Sequence, residues 1–490
     1  MKHDPDAAAS APVHRHSHWL HEALATDADV SPSLRGAARA DVAILGGGYC
    51  GLWTALEIKS REPALDVVVV ERDICGGGAS GRNAGYVMDL WAKFLTLRGL
   101  CGAEEAIRIC HAAAQCIVEI GDFCRQHEID ADFRRSGWLW SASCERHHRP
   151  WGQTEEALQR VHCAPFIELS RSELCDKYGL RGAVAGVLQP TVALIQPAKL
   201  ARGIRRVALD CGVRIFENSK VTQVRRGPEC RVRTQEGTLT AASVVVALNA
   251  WATIFPEIRR GLAVTAAEAC VSARVPEMLA KLGWAHGPGV TDSRRMIVNW
   301  RATPDGRVEM GKGGGGLAFG SHVAGRIDGG AIRVRQIVEE VALAVPDLKG
   351  IDIATSWMGP IDKSFHGLPA ASRFPNDENM FYGCGFSGNG VGPSKLIAKI
   401  LASLVLRRAD EWSSLGLAQP LQGTFPREPV RYLGGRCVLA AMNRHDRLDH
   451  ANQDAGALTR WLVSKMPGSI VPPGAAPDER NTALQEYTPK

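Results

Sequence analysis

Apolar residues recur along this chain with two different spacings. Continuous apolar runs at residues 42–45 and 67–70 are typical of strands buried in a parallel sheet, and helical spacing over residues 52–59 separates them. Alternating patterns with Gly and Pro turns over residues 263–319 predict an antiparallel sheet. Further strands are predicted at residues 213–216, 220–225, 230–234, 244–247 and 380–383, and further helices at residues 104–126, 197–209, 333–343 and 393–406.

The length and composition indicate a globular protein with more than one domain. At 490 residues the chain exceeds what one hydrophobic core usually supports, so two domains are expected. Its 58 basic and 52 acidic residues include no dense block of one sign, which argues against a nucleic-acid partner. The 14 cysteines form no C-x-x-C pair, and we expect free thiols in a reducing cytoplasm.

No segment has the pattern of a membrane or secretion signal. The N-terminal residues lack a continuous apolar core. Residues 244–255 are too short to span a bilayer, which needs about 20 apolar residues, and Lys399 interrupts residues 396–406. We therefore expect a soluble protein without an integral membrane segment.

A glycine turn joins the first predicted strand to the first predicted helix. The segment GGGYCG matches G-x-G-x-x-G through Gly46, Gly48 and Gly51. Such a turn lets the main chain approach a pyrophosphate, and the helix N-terminus presents N–H groups to it. Glu71 follows the second strand, where a carboxylate can accept from ribose hydroxyls and disfavours a 2′-phosphate. The alternative is a plain strand–helix turn, but these features together predict a bound dinucleotide.

A second glycine cluster follows closely, in the segment RDICGGGASGRNAGY. Here the sequence resembles the D-amino-acid-oxidase-like flavoproteins, which include glycine and sarcosine oxidases and γ-glutamylputrescine oxidase. In that family a loop of small and polar residues wraps the ribityl and pyrophosphate of FAD. The later segments SKVTQVRR and VVVALNAWA fit the family in the same order. The resemblance implies FAD contacts from Tyr49, Cys50, Arg72, Gly78, Ala79, Ser80, Arg82, Asn83, Ala84, Gly85, Val221, Asn249, Ala250 and Trp251.

The segment FYGCGFSGNGVGPSK resembles the closing loop of the same family. That loop brings backbone N–H groups and a helix N-terminus to the flavin edge that becomes anionic on reduction, so the helix dipole favours the reaction. Asn389 stands where the family more commonly has His. The implied contacts are Gly385, Ser387, Gly388, Asn389, Gly390 and Val391.

The resemblance implies FAD-dependent oxidation of an amine. The family removes hydride from the carbon next to the nitrogen, water hydrolyses the imine, and O2 or another acceptor reoxidises the flavin. We expect a small polar primary or secondary amine, such as an amino acid, a polyamine derivative or an aminophosphonate. Three alternatives stay open: a dehydrogenase with a quinone or protein acceptor, a flavin-binding protein without turnover, and an NAD-linked enzyme.

Some relatives attach FAD covalently, through a His in the second glycine loop or a Cys before the closing loop. The segment GASGRNAGY has no His, and Trp357 stands near the place of the Cys. The sequence therefore predicts non-covalent FAD.

Lys312, Trp357 and Arg301 are the candidate catalytic residues. Sarcosine oxidases use a lysine over the flavin to activate oxygen, which suggests Lys312 in GKGGGG, although the strand register points to Glu309 instead. Trp357 is a candidate pocket wall, although core packing is the simpler role for a Trp.

Arginines of the same region are candidate anion ligands. Arg294, Arg295 and Arg301 could hold a carboxylate or phosphonate of the substrate, although surface charge is the commoner role of an arginine. The segment HDRLDH, residues 445–450, lacks further ligands at suitable spacing and is interpreted as a solvated helix face, so no metal site is predicted.

The expected architecture is an α/β FAD-binding domain of the Rossmann-like, glutathione-reductase type, interleaved with an α+β substrate domain on a mainly antiparallel sheet. The FAD-binding domain is predicted at residues 36–100, 190–255 and 350–410, and the substrate domain at 101–189 and 256–349. Residues 1–35 are expected to form a flexible arm, 411–470 a C-terminal helical extension and 471–490 a disordered tail. The sequence does not predict the oligomeric state.

Overall fold

Two sheets of eight strands each organise the residues that this computed structural model describes, namely 16–323, 327 and 329–467. A third sheet contains two strands. In chain order the strands are β1 (Gly36–Leu45), β2 (Val67–Val70), β3 (Tyr86–Val87), β4 (Trp138–Ala142), β5 (Ile167–Leu169), β6 (Ala185–Gln189), β7 (Ala193–Leu194), β8 (Arg214–Phe216), β9 (Gln223–Arg225), β10 (Cys230–Arg233), β11 (Gly237–Val246), β12 (Leu262–Ser272), β13 (Gly289–Asp292), β14 (Val298–Ala302), β15 (Val308–Leu317), β16 (Ile353–Ser364), β17 (Ala370–Arg373) and β18 (Met380–Cys384).

Helices cover these sheets and connect their strands. Among the described helices, none combines the length and the apolarity that a membrane crossing requires. In chain order the α-helices are α1 (His18–Thr26), α2 (Tyr49–Arg61), α3 (Phe94–Cys101), α4 (Ala103–Gln126), α5 (Gly152–Gln159), α6 (Arg171–Tyr178), α7 (Pro197–Asp210), α8 (Pro256–Arg259), α9 (Pro276–Lys281), α10 (Val334–Ala344), α11 (Val391–Val405), α12 (Val430–His450) and α13 (Ala457–Val463).

The first sheet has the strand order β17-β18-β11-β1-β2-β8. Strands β1, β2, β8, β11 and β18 run parallel, and the antiparallel pair β9–β10 extends from β11. All four valines of β2 are buried, because α2, α7 and α11 pack on one face and residues of β10 on the other. Parallel order places the carboxyl ends of β1, β2 and β11 at one edge, where open α/β sheets bind their ligands.

The second sheet has the order β16-β12-β15-β14-β13-β4-β6-β5. Its pairs are antiparallel except β4 with β13. Helices α6, α9 and α10 pack on one face of this sheet through a core that includes Leu174, Leu279 and Ile337. The predicted fold class, a Rossmann-like α/β unit with a mainly antiparallel second sheet, is confirmed.

The prediction of a flexible arm is wrong for residues 18–35. Helix α1 buries Trp19, which is 1% exposed and meets the Trp357 ring edge-on at 6.1 Å. The amide Nε2 of Gln196 donates to the carbonyl oxygen of Trp19 over 2.8 Å, which fixes this segment against α7. Residues 1–15 of the predicted arm, and the predicted tail at 471–490, lie outside the described residues.

One predicted domain segment also changes assignment. Residues 350–410 were assigned to the FAD-binding domain, but β16 pairs with β12 along its length and therefore belongs to the second sheet. The two strands that follow it, β17 and β18, lie in the first sheet as expected. The chain thus crosses between the sheets after Ser364.

Helices α12 and α13 lie within the predicted C-terminal helical extension. Arg295 Nη1 is 3.0 Å from the Asp446 carboxylate, and Arg294 Nε donates to His450 Nε2 over 2.9 Å. Asp446 and Asp449 are buried, so the interpretation of this segment as a solvated face is wrong. The surface position considered for Arg294 is wrong too, since its side chain is buried in this network.

Candidate functional site

A cavity of about 340 Å³ lies where the carboxyl ends of the first sheet face the second sheet. The glycine turn after β1, the end of β2 and the second glycine cluster line one part. Strands β12, β14, β15 and β16 provide the opposite wall, and the loop before α11 closes the remainder. The cavity therefore draws on segments far apart in the chain.

The glycine turn leaves no room for side chains. Gly46 has φ of 109°, and a Cβ there would lie 2.5 Å from the Ala247 carbonyl oxygen of the neighbouring strand. A Cβ at Gly48 would lie 2.8 Å from Ser80 Oγ, which itself accepts from the Tyr49 N–H over 2.9 Å. The N-terminus of α2, beginning at Tyr49, thus reaches the cavity with bare main chain beside it.

Glu71 ties the end of β2 to the glycine turn. Its Oε2 accepts from the Gly47 N–H over 2.8 Å, and its Oε1 accepts from the Asp73 N–H over 3.0 Å. Burial raises the pKa of this carboxyl, while those backbone donors act in the opposite direction. Arg72 lies over the Trp251 ring at 4.3 Å, and both side chains line the cavity.

The side chain of Asn83 stabilises the second glycine cluster through hydrogen bonds within the loop. Asn83 Nδ2 donates to the carbonyl oxygens of Ala79 and Ser80 at 3.2 and 2.8 Å, and its Oδ1 accepts from the Gly85 N–H at 2.8 Å. Arg82 Nε donates to the Gly77 carbonyl over 3.0 Å. This loop is held in shape by its own polar side chains, so its exposed main chain is preorganised for a ligand.

Asp362 of β16 holds the closing loop. Its Oδ2 accepts from the Gly385 N–H over 2.6 Å, whereas its Oδ1 has no hydrogen-bond partner within the described part of the chain. Burial raises the pKa of Asp362 to about 7. Asn389, which stands where the family more commonly has His, donates from Nδ2 to the Asp89 carbonyl over 3.1 Å and so anchors the loop from outside the cavity.

The second sheet contributes a wall that carries both acids and an amide. Ala267 and Ala269 of β12 and Gly311 of β15 supply its small residues. Glu268 is engaged: it pairs with Arg333 and accepts from the Ile332 N–H over 2.7 Å. Glu309 and Asn299 complete the polar groups of this wall.

Most of the residues predicted to contact the cofactor line this cavity. Those that do are Gly46, Gly48, Tyr49, Cys50, Glu71, Arg72, Gly78, Ala79, Ser80, Arg82, Asn83, Ala84, Val221, Asn249, Trp251, Gly388, Gly390 and Val391. The others support the lining from behind: Gly51 packs on Gly46, Gly85 on Ile195, and Ala250 is buried in a core. Gly385 and Ser387 lie beside Asp362 and Ser364, within the closing-loop contacts.

None of the three candidate catalytic residues lines the cavity. Lys312 is 1% exposed and pairs with Glu340 over 2.5 Å on the other face of β15. Trp357 Nε1 donates to the Arg82 carbonyl over 2.9 Å, behind the second glycine loop. Arg301 is buried rather than a surface charge; its Nη2 donates to the Ile195 carbonyl over 2.9 Å and its guanidinium lies 4.9 Å from the Trp19 ring.

Several lining residues were not predicted from the sequence as site residues. Asp362, Glu268 and Asn299 are isolated polar residues on strands, and no local motif marks them. Glu309 could be anticipated from the sequence, because it lies three positions before Lys312 on one strand and therefore on the opposite face.

The fold and the cavity together define a class of dinucleotide-binding proteins. A parallel sheet presents a glycine turn, a helix N-terminus and a strand-end acid, and an antiparallel sheet closes the cavity. Such an arrangement is suited to bind a dinucleotide.

Comparison with known proteins identifies the family within that class. A family model described as FAD dependent oxidoreductase (DAO) matches residues 41–404. γ-Glutamylputrescine oxidoreductase of Escherichia coli (strain K12) is 28% identical over 386 residues, covering 76% of this chain and 85% of that protein. Glycine oxidase of Geobacillus kaustophilus is 25% identical over 391 residues, covering 76% and 94%. Its solved structure aligns with a TM-score of 0.64 at 20% identity, covering 79% and 99%. The chain belongs to the DAO family of FAD dependent oxidoreductases, as the sequence resemblance predicted.

FAD is the cofactor of this enzyme, and the lining residues fit it. Bare main chain at Gly46 and Gly48 leaves space for a pyrophosphate, and Asp362 Oδ1, which has no partner within the described residues, would be available to accept a hydrogen bond from FAD. Cys50 is the cysteine among the lining residues, and burial raises the pKa of its thiol to about 12. That thiol is protonated at neutral pH, which agrees with non-covalent FAD; acid precipitation that releases the yellow colour into the supernatant tests this prediction.

Proposed function

We propose that the protein is an FAD-dependent amine oxidase or dehydrogenase acting on a small polar amine. The observation that carries this proposal is the polar wall of the second sheet: Glu309 and Asn299 line the same cavity as the nucleotide-binding turn. Acids and an amide at that wall suit a substrate that carries nitrogen. The names of the relatives, γ-glutamylputrescine oxidoreductase and glycine oxidase, support the same substrate class.

The chemistry divides between cofactor and protein. FAD, when bound, accepts a hydride from the carbon next to the nitrogen. The residues of the second-sheet wall bind and orient the amine, and the closing loop held by Asp362 keeps water from the reacting groups. The amine becomes an imine by loss of the hydride and a proton, and water hydrolyses the imine to a carbonyl compound.

An anaerobic flavin-reduction screen tests the proposal. The purified protein is mixed without oxygen with amino acids, polyamines, aminophosphonates and simple amines, and the visible flavin band is followed. Bleaching by one class supports amine oxidation and identifies the substrate. A yellow protein that no amine bleaches would contradict it and favour a flavin-binding protein without turnover.

The electron acceptor is a second question, and one observation favours a dehydrogenase. Lys312 lies outside the cavity lining, and the wall presents the acid Glu309, three positions earlier on the opposite face of β15. A cation near the flavin stabilises the negative charge that develops when oxygen accepts electrons, and an acid does not. We propose a quinone or protein acceptor, tested by turnover with an artificial electron acceptor against release of hydrogen peroxide in air. Rapid peroxide release would favour the oxidase.

A cytoplasmic location stays part of the proposal. Its support is that all fourteen cysteines are free thiols, as a reducing compartment maintains them.

A further inference from the structure

Glu309 is a buried acid without a partner. Its side chain is 0% exposed and lines the cavity, and neither Oε1 nor Oε2 has a hydrogen-bond partner within the described residues. A buried carboxyl group without hydrogen bonds is unfavourable whether it is ionised or protonated, so one that lines a cavity indicates a ligand that pairs with it.

The arginine opposite this acid in the sheet does not occupy it. Arg301 is opposite Glu309 in the β14–β15 register, but among the described residues neither oxygen of Glu309 accepts a hydrogen bond from it. Arg301 instead donates to the Ile195 carbonyl and lies over Trp19. Its charge lowers the pKa of Glu309 to some extent without occupying the carboxylate oxygens.

Asn299 adds a third free acceptor on the same face. It is opposite Gly311 on β15, and its Oδ1 also has no partner within the described residues. A Cβ at Gly311 would lie 2.9 Å from this amide, so the glycine leaves space in front of Asn299. Glu268 on the neighbouring strand β12 differs, because Arg333 and backbone N–H groups occupy it.

We propose that Glu309 and Asn299 bind the substrate's amino group as a primary ammonium ion, and that this site makes primary amines the preferred substrates. Two carboxylate oxygens and one amide oxygen supply three acceptors, which match the three N–H donors of that ion. This inference rests on the proposed amine oxidation and specifies its substrate class.

The same carboxylate is placed to take up the proton that oxidation requires. Hydride loss needs the nitrogen lone pair, so the bound ammonium gives one proton to Glu309: an ammonium and a carboxylate become a neutral amine and a carboxylic acid. Burial raises the pKa of Glu309 to about 8, which makes it a stronger base than an ordinary carboxylate. The neighbouring groups that act on it electrostatically are Arg301, Tyr86 and Cys270.

The test compares Glu309→Gln with the wild-type holoenzyme and with Glu104→Gln, a matched substitution at an exposed position in the first turn of α4. Flavin content is measured first from the visible band. The rate of anaerobic bleaching is then measured against amine concentration, and the concentration that gives half of the maximal rate is compared for a primary amine and its N,N-dimethyl analogue. We expect Glu309→Gln to weaken the primary amine roughly 10- to 150-fold, because a hydrogen bond to a charged group is lost, and Glu104→Gln to match wild type.

Each outcome of this test either supports or overturns the proposed ammonium site. Unchanged primary-amine binding in a flavin-replete Glu309→Gln variant overturns the inference while leaving amine oxidation intact. Wild-type protein that no amine bleaches overturns the proposed function as well. If Glu309→Gln fails to hold flavin, Asn299→Ala replaces it: a selective loss of about 3- to 10-fold for the primary over the dimethylated amine supports the site, and equal loss for both overturns it.

Discussion

The ionisation of Glu309 should control the pH dependence of amine binding. Its pKa is raised to about 8, so the carboxylate form is absent at low pH and appears only as the pH rises through that value. At pH 6 about 1% of the carboxyl is ionised, and at pH 9 about 90%. An alkylammonium ligand with a pKa near ~10.4 stays protonated over this range. Affinity should therefore rise up to ~90-fold, equivalent to about 2.7 kcal/mol, between pH 6 and pH 9.

The assay measures how the rate of anaerobic bleaching depends on amine concentration, at fixed ionic strength and at half-unit pH steps. The half-saturating concentration gives the apparent binding constant at each pH. Glu309→Gln removes the titrating group, so its profile should be flat where the wild-type profile rises. Glu104→Gln, which leaves the cavity unchanged, should follow wild type. A wild-type profile without a rise between pH 6 and 9, or a rise of equal size in Glu309→Gln, would refute the assignment of this titration to Glu309.

Three further substitutions test the structural framework. Gly46→Ala should abolish flavin retention, read from the visible absorbance of purified protein, because its φ of 109° and the nearby Ala247 carbonyl exclude a side chain; Gly434→Ala in α12, where a Cβ meets nothing within 4 Å, should retain full colour. Trp19→Ala should lower the free energy of unfolding by about 3–5 kcal/mol, seen as a reduced melting temperature, and an unchanged value would mean that α1 does not pack as described. Asp449→Asn should cost about 3 kcal/mol and accelerate proteolysis near α12, since Arg295 loses a buried partner; equal proteolysis rates would contradict that role.

The nucleotide half of the site could be predicted from sequence because its determinants are local. Gly46, Gly48, Tyr49 and Glu71 lie within one strand–helix–strand unit, and each is required by the geometry of a single turn. The order of apolar runs then implies that the unit belongs to a parallel sheet. A motif of this kind keeps its meaning without knowledge of the remaining chain.

The second-sheet wall could not be predicted in the same way, because its geometry depends on strand register. In β15, residues 309 and 311 face the cavity, and Lys312 faces α10, so a shift of one position exchanges an acid for a base. Val308 and Met310 alternate with Glu309 at the start of β15, which is why the sequence already pointed to Glu309, but the glycines that follow carry no apolar pattern that would fix the cavity face. Pairing with β12 and β14 decides it, and both partners are distant in sequence or separated by a turn.

Long-range packing likewise decides whether charged and N-terminal residues are buried or exposed. Arg294 is buried and Arg295 is half-buried, because α12, about 150 positions later, brings His450 and Asp446 to them, and Arg294 also pairs with Asp292 and Glu340. Helix α1 is too short to show a clear amphipathic period, yet Trp19 fills a space beside Trp357. Composition alone cannot distinguish these residues from solvent-exposed ones.

The distribution of charge along the cavity explains why the second-sheet wall, rather than the two glycine segments of the first sheet, should determine which substrate binds. The basic residues of the lining, Arg72, Arg82 and Lys220, lie on or beside the segments expected to hold the nucleotide, where they could pair with its phosphates. The second sheet contributes only acids to the charged lining that is described, and Glu309 is the one among Glu268, Glu309 and Asp362 that no hydrogen bond satisfies. An anionic substrate would meet repulsion at this wall, whereas an ammonium ion supplies the missing partner. Specificity then follows because a ligand without N–H donors leaves Glu309 without a hydrogen-bond partner and therefore binds more weakly than an ammonium ion.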